Sequence, residues 1–193
     1  MHLLVAGLNG VRKSEIAQQL ESSLRLRGLN DQKILVKAFD SRIIKSPDIN
    51  RLTVTERVKA LEWWAKNVSL PSQTVLQLQL VFFIGRYELV ATRILNHLNL
   101  AGIILVRDEP ARILGTLTSK NQGFLHGDRI DVIARRQEII QQSILAHAVH
   151  KNLEVLIIER ERSAGINYDN ILKMVSAMSA RWNEEQLGDM ASF

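Results

Sequence analysis

The residues of this chain with the clearest chemical potential lie near its start, in Gly7-Leu-Asn-Gly-Val-Arg-Lys-Ser14. Two glycines followed by Lys-Ser suit the binding of a polyphosphate. Glycines let the backbone curl until successive N–H groups face one anion, and a helix opening behind them adds the positive end of its dipole. In a loop of this kind Lys13 reaches the β- and γ-phosphates of ATP, and the Ser14 hydroxyl binds Mg²⁺. The expected nucleotide-binding residues are therefore Gly7, Asn9, Gly10, Val11, Arg12, Lys13 and Ser14, with Ser14 as metal ligand. The motif asks for glycine before the lysine, and Arg12 stands there. Either its side chain swings outward, which leaves the amide cradle intact and adds a cation, or its Cβ keeps the loop too open to hold a triphosphate.

A strand must deliver this loop and a helix must follow it. Apolar Leu3–Ala6 predicts the strand, and Lys13 to about Arg27 predicts the helix, with Ile16, Leu20 and Leu24 on one face. Strand-like and helix-like segments then alternate. Strands are expected at Lys33–Phe39, Leu78–Ile84, Gly102–Val106 and Glu154–Ile158. Helices are expected at Thr53–Asn67, Glu88–Leu98, from Pro110, at Arg129–Val149 and at Tyr168–Trp182. This alternation predicts an α/β fold built on a parallel sheet. The polar stretch Thr118–Gly127 reads as a short lid within one domain spanning 1–193.

The bulk properties agree with that reading. The 193 residues are 46% hydrophobic and 23% charged, and none is cysteine, which excludes disulfides and thiolate metal sites. No apolar run is long enough to span a membrane, and the opening Leu-Leu-Val-Ala lacks the basic leader of a signal peptide, so a cytoplasmic protein is expected. The net charge is +5. Its basic residues are spread along the chain rather than gathered in a tail, which suits anionic substrates better than nucleic acid.

The order of motifs along nearly the whole chain resembles the thymidylate kinases, a P-loop family. The resemblance rests on Gly7–Gly28, on Thr55-Glu56-Arg57, on Phe83-Ile84-Gly85-Arg86-Tyr87, on Ile104–Gly115 with its Asp108-Glu109-Pro110, and on Gly127-Asp128-Arg129-Ile130-Asp131. It implies a five-stranded parallel sheet of order 2-3-1-4-5 with helices on both faces, ATP and Mg²⁺ as cofactors, and a nucleoside monophosphate, dTMP foremost, as acceptor. Lys13, Arg86 and Asp40 are then the catalytic candidates, and Arg57, Arg86 and Tyr87 the substrate contacts. The family's habit of pairing through helices implies a homodimer, for which the adjacent Trp63 and Trp64 offer a contact.

Several positions depart from the family. Gly85 stands where it has a metal-side aspartate, Asp40 replaces its glutamate after the second strand, and the lid carries Lys120 but no arginine. Two readings follow: a divergent nucleoside-monophosphate kinase, or a kinase-like protein that has lost catalysis and binds a nucleotide or a protein. On the motif alone ATP affinity is weak and turnover slow, Arg12→Gly tightens nucleotide binding, and Gly85→Asp is needed as well for appreciable activity.

Overall fold

Leu3, Leu4, Val5 and Ala6 are all wholly enclosed, as a strand with neighbours on both sides must be. The computed structural model describes residues 1–84, 87–90, 92–119, 129–160 and 167–190, with 50, 81–84, 87–90, 92 and 182–190 described by backbone alone. In chain order the elements are β1 (His2–Ala6), α1 (Lys13–Leu24), β2 (Arg27–Asn30), α2 (Asp31–Asp40), α3 (Val54–Asn67), β3 (Thr74–Gln77), β4 (Val81–Ile84), β5 (Tyr87–Val90), β6 (Gly102–Arg107), α4 (Pro110–Ser119), α5 (Ile130–Lys151), β7 (Glu154–Glu159) and α6 (Tyr168–Met190). Five strands form a parallel sheet in the order β2-β3-β1-β6-β7, with helices on both faces. Counted within the sheet this is the expected 2-3-1-4-5, and the first strand is central.

Two of the five strands are not where the sequence pattern puts them. Lys33–Phe39 is helix rather than strand: Ile34, Leu35 and Ala38 are the buried positions, a helical stripe, and the Asn30 side chain caps the helix by accepting from the Lys33 N–H. The second strand is the four-residue β2 just before it. The third sheet strand ends at Gln77, and Val81–Ile84 instead pairs antiparallel with Tyr87–Val90 in a two-stranded sheet of its own. The expected helix Glu88–Leu98 is accordingly part of β5 followed by a 3₁₀ segment, Thr92–His97.

The main core gathers on both faces of β1, β3 and β6. A smaller cluster, Leu35, Ala38, Ile44, Leu52 and Ala60, lies between α2 and α3. Trp64 is fully buried in the main core, and Trp63 is partly buried against both clusters. Trp64 thus has a packing role within the chain, while Trp63 is only partly covered by such packing. Among the described residues no helix is long and apolar enough to cross a membrane.

Candidate functional site

The sheet order leaves a crevice at the carboxyl end of β1, where the chain leaves toward α1 while its neighbours β3 and β6 connect elsewhere. Gly7–Arg12 fill that position. Gly7 has φ +144°, and a Cβ there would stand 2.5 Å from the Val106 carbonyl oxygen and 3.0 Å from Val11 Cγ2. Only glycine lets the loop pass so close to β6. Gly10 has φ +92° and rests against Ile113 and Leu117 of α4. Val11 is fully buried and pins the loop to the core. Gly7→Ala is expected to destabilise the fold by roughly 3 kcal/mol, from the strained φ and the backbone clash together; a parental midpoint in urea unfolding would contradict this.

Arg12 adopts the left-handed conformation, φ 56° and ψ 40°, immediately before α1. The backbone turn that glycine ordinarily makes is therefore present, at a cost of roughly 1–2 kcal/mol for a residue with a Cβ. The side chain points outward and is 52% exposed, with Nη1 3.2 Å from Glu15 Oε1. Of the two outcomes open to Arg12, the loop takes the first. As N-cap residue Arg12 gives α1 no side-chain cap, so first-turn amides are left for another acceptor.

Lys13 is buried and folded back over the loop, its Nζ donating to the carbonyls of Gly7 at 2.7 Å and Leu8 at 3.0 Å. Burial lowers its pKa to about 8, and the charge of Asp31 opposes the shift. Ser14 is exposed in the first turn of α1, placed to offer its hydroxyl beside whatever the loop holds. No group of three or more acidic or histidine side chains among the described residues is arranged to hold a metal. The Ser14 hydroxyl is an oxygen donor of the kind Mg²⁺ takes.

The carboxylate facing Lys13 is Asp31, which the sequence pattern does not single out. With the second strand ending at Asn30, Asp31 is the residue that follows it, in the first turn of α2. It accepts from the Gln79 backbone N–H at 3.0 Å on Oδ2 and 3.3 Å on Oδ1. Burial raises its pKa to about 6, against the opposing charges of Lys13 and Arg57 and the Gln79 hydrogen bond. Asp40 is a correction: it is exposed at the last position of α2, nine residues on, or about 13 Å along the helix axis. The Asn30-Asp31 pair, a capping residue and an acid at a helix start, was the signal in the sequence that points to Asp31.

Arg57 sits in α3, partly buried, with Nη2 donating to the Ile49 carbonyl at 2.6 Å and a buried Nε without a partner. Glu56 beside it closes the capping box of α3 with Thr53, so it is a cap and not part of the site. Arg86, Gly85 and Lys120 lie outside the described residues, as does the lid beyond Ser119; of Tyr87 only the backbone is described. Since β4 belongs to the separate two-stranded sheet, Gly85 does not follow the third strand of the main sheet; Leu78 and Gln79 do.

On the other side of the loop Asp108 follows β6, its side chain 1% exposed. Arg112 Nη1 stands 3.1 Å from Oδ1 and Arg160 Nη1 3.5 Å from Oδ2. Gln137 of α5 accepts from the Asp108 N–H at 3.1 Å and donates to its carbonyl at 2.8 Å. Arg160 Nη2 also approaches Glu15 Oε2, at 3.8 Å. Asp108 is thus a buried anchor joining β6, α4, α5 and the end of β7.

Among solved structures with this architecture is shikimate kinase from Acinetobacter baumannii in complex with shikimate, with a TM-score of 0.59 at 11% identity over 93% of each chain. Another is the YorR protein from Bacillus subtilis in complex with phosphorylated GDP, with a TM-score of 0.55 at 12% identity over 95% of this chain and 98% of that one. The fold is that of the P-loop kinases. No protein-family model matches the sequence, and no curated protein matches it. Identities this low speak to architecture alone. Lys13 of the loop after β1 and Arg57 on α3 both lie near enough to Asp31 for their charges to act on its titration.

Proposed function

We propose that this protein transfers the γ-phosphoryl group of ATP to a small acceptor, with the donor phosphates on Gly7–Ser14 and the acceptor between Asp31 and Arg57. The observation that carries the reading is the buried Lys13, poised over a glycine-shaped loop, with a partly buried carboxylate near enough for each to shift the other's titration. Phosphoryl transfer asks a protein for positioning and positive charge rather than covalent chemistry. Lys13 is held by two carbonyls that a phosphate would replace, and Ser14 would supply a ligand to the Mg²⁺ of the nucleotide. That ion neutralises charge between the phosphates when bound.

The resemblance to thymidylate kinases favours a nucleoside monophosphate, dTMP first, with Arg57 on its phosphate. Asp31 favours a second class of acceptor. A monophosphate oxygen is already anionic at neutral pH and needs no base, whereas a hydroxyl must lose a proton. A carboxylate with a pKa near 6 is suited to accept it. An alcohol acceptor bearing its own anionic group, held by Arg57, would use both residues. The deciding experiment is a coupled ADP-release assay with MgATP across the common nucleoside monophosphates and a panel of small hydroxy acids and polyols, beside calorimetric ATP binding. Turnover with one class identifies the acceptor. ATP binding without turnover on any of them supports the reading as a nucleotide-binding module, and absence of ATP binding overturns both.

A further inference from the structure

Arg12 combines three observations that the loop's basic task does not require. First, it spends backbone energy to hold a left-handed turn that glycine would make freely, and such outliers point toward use. Second, its half-exposed guanidinium has one carboxylate partner, Glu15, in an exposed pair of the kind worth little. Third, that partner is provided for elsewhere: Glu15 also faces Arg160, Arg160 faces Asp108, and Asp108 has Arg112. If Arg12 leaves, no carboxylate in the chain of ion pairs is without a cation. Arg12 also precedes Lys13 directly, with consecutive Cα atoms about 3.8 Å apart, so its guanidinium needs only rotation about its own side chain to reach an anion on the loop. The stretch 118–127 holds one lysine and no arginine.

We propose that Arg12 is a phosphate-contacting residue held in reserve: Glu15 keeps its guanidinium at the rim of the empty loop, an entering polyphosphate draws it across, and Arg160 keeps Glu15 neutralised. The proposal rests on the reading of Gly7–Ser14 as a polyphosphate site. It reverses the expectation drawn from the motif alone, under which removing Arg12 tightens binding.

The test is calorimetry on the parent, Arg12→Gly, Arg12→Lys and Glu15→Gln, with MgATP, inorganic tripolyphosphate and adenosine as probes. Arg12→Gly is expected to melt no lower than the parent, since it relieves the strained turn, yet to bind both polyphosphates about tenfold more weakly, the loss of one charge-assisted contact. Arg12→Lys should lose less. Glu15→Gln should bind both polyphosphates a few-fold more tightly, and adenosine should not discriminate among the four proteins. If Arg12→Gly binds tripolyphosphate as tightly as the parent, the role of Arg12 is refuted even where the parent binds ATP well and the kinase reading stands. If Glu15→Gln gains nothing, the reserve arrangement is refuted. If the expected pattern holds for tripolyphosphate while ATP is not bound, the inference stands and the kinase reading falls. A parent that binds neither anion overturns both.

Discussion

With Asp31 replaced by asparagine, the protein is expected to lose phosphoryl transfer while becoming more stable at neutral pH. The loss follows from the proposed role: a positioned base contributes roughly 10²–10⁴ in rate, so kcat should fall about 100-fold or more while ATP affinity stays near parental. The gain in stability follows from burial. The folded pKa of Asp31 is raised from 3.8 to about 6. Between those values the folded state binds more protons than the unfolded state, so stability falls as pH rises through that window, and the cost is fully present above about 6. Asparagine removes the cost, and its side-chain oxygen can still accept from the Gln79 N–H. Thermal melts should show the variant above the parent at pH 7 by about 2–4 °C for each kcal/mol relieved, with the gap closing toward pH 4. Transfer at the parental rate would remove Asp31 from the mechanism, and a lower melting temperature at pH 7 would show that its contacts outweigh its burial.

Replacing Lys13 by methionine, which keeps the length of the buried stem, should cut ATP affinity about 100-fold or more, the cost of contacts to two phosphates at roughly 1.5–3 kcal/mol each. The fold should survive. The Lys13 pKa is lowered from 10.5 to about 8, so the unfolded chain holds more protons between those values and stability rises with pH across them. The ammonium is thus a burden on the fold below about pH 8, and methionine removes it. Together with Asp31 this fixes the expected pH profile of the parent: kcat/KM is bell-shaped, falling below about 6 as Asp31 protonates and above about 8 as Lys13 loses its charge. A profile flat from pH 5 to 9, or unaltered ATP affinity in Lys13→Met, would place the chemistry elsewhere.

What the sequence disclosed was what local pattern governs. The loop, the central strand before it and the helix after it could be read because glycine spacing, an apolar run and a 3.6-residue period coincide within some twenty residues. β6 was readable as a buried apolar run, and β7 as an apolar run although at the sheet edge only its Ile158 is buried. The second strand was misplaced because Lys33–Phe39 is apolar enough to suit either strand or helix, and the choice was made by the Asn30 cap and by packing on α3, neither of which a strand template weighs. That shift carried the site with it. It put the acidic candidate at Asp40, at the exposed C-terminal end of α2, and passed over the partly buried Asp31 at its start. The third strand went astray similarly: Val81–Ile84 has the composition of a central strand but pairs only with Tyr87–Val90. Nothing in the local sequence around Asp108 announces that Arg160, 52 positions later, stands 3.5 Å away.

The small cluster between α2 and α3 has a further meaning. Asp31 opens α2 and Arg57 lies in α3, so the two residues proposed to face the acceptor lie on helices that share a small core of five buried side chains and are tied to the main core by Ile34, Leu61, Trp64 and Ala65. The phosphate loop, by contrast, grows from the strand at the centre of the sheet. Regions with few buried contacts open on their own free-energy scale, below that of global unfolding. With Ile34, Leu61, Trp64 and Ala65 seated in the main core, α2 and α3 are expected to open together with the sheet rather than ahead of it, so the spacing of Asp31 and Arg57 from the phosphate loop is set by that core.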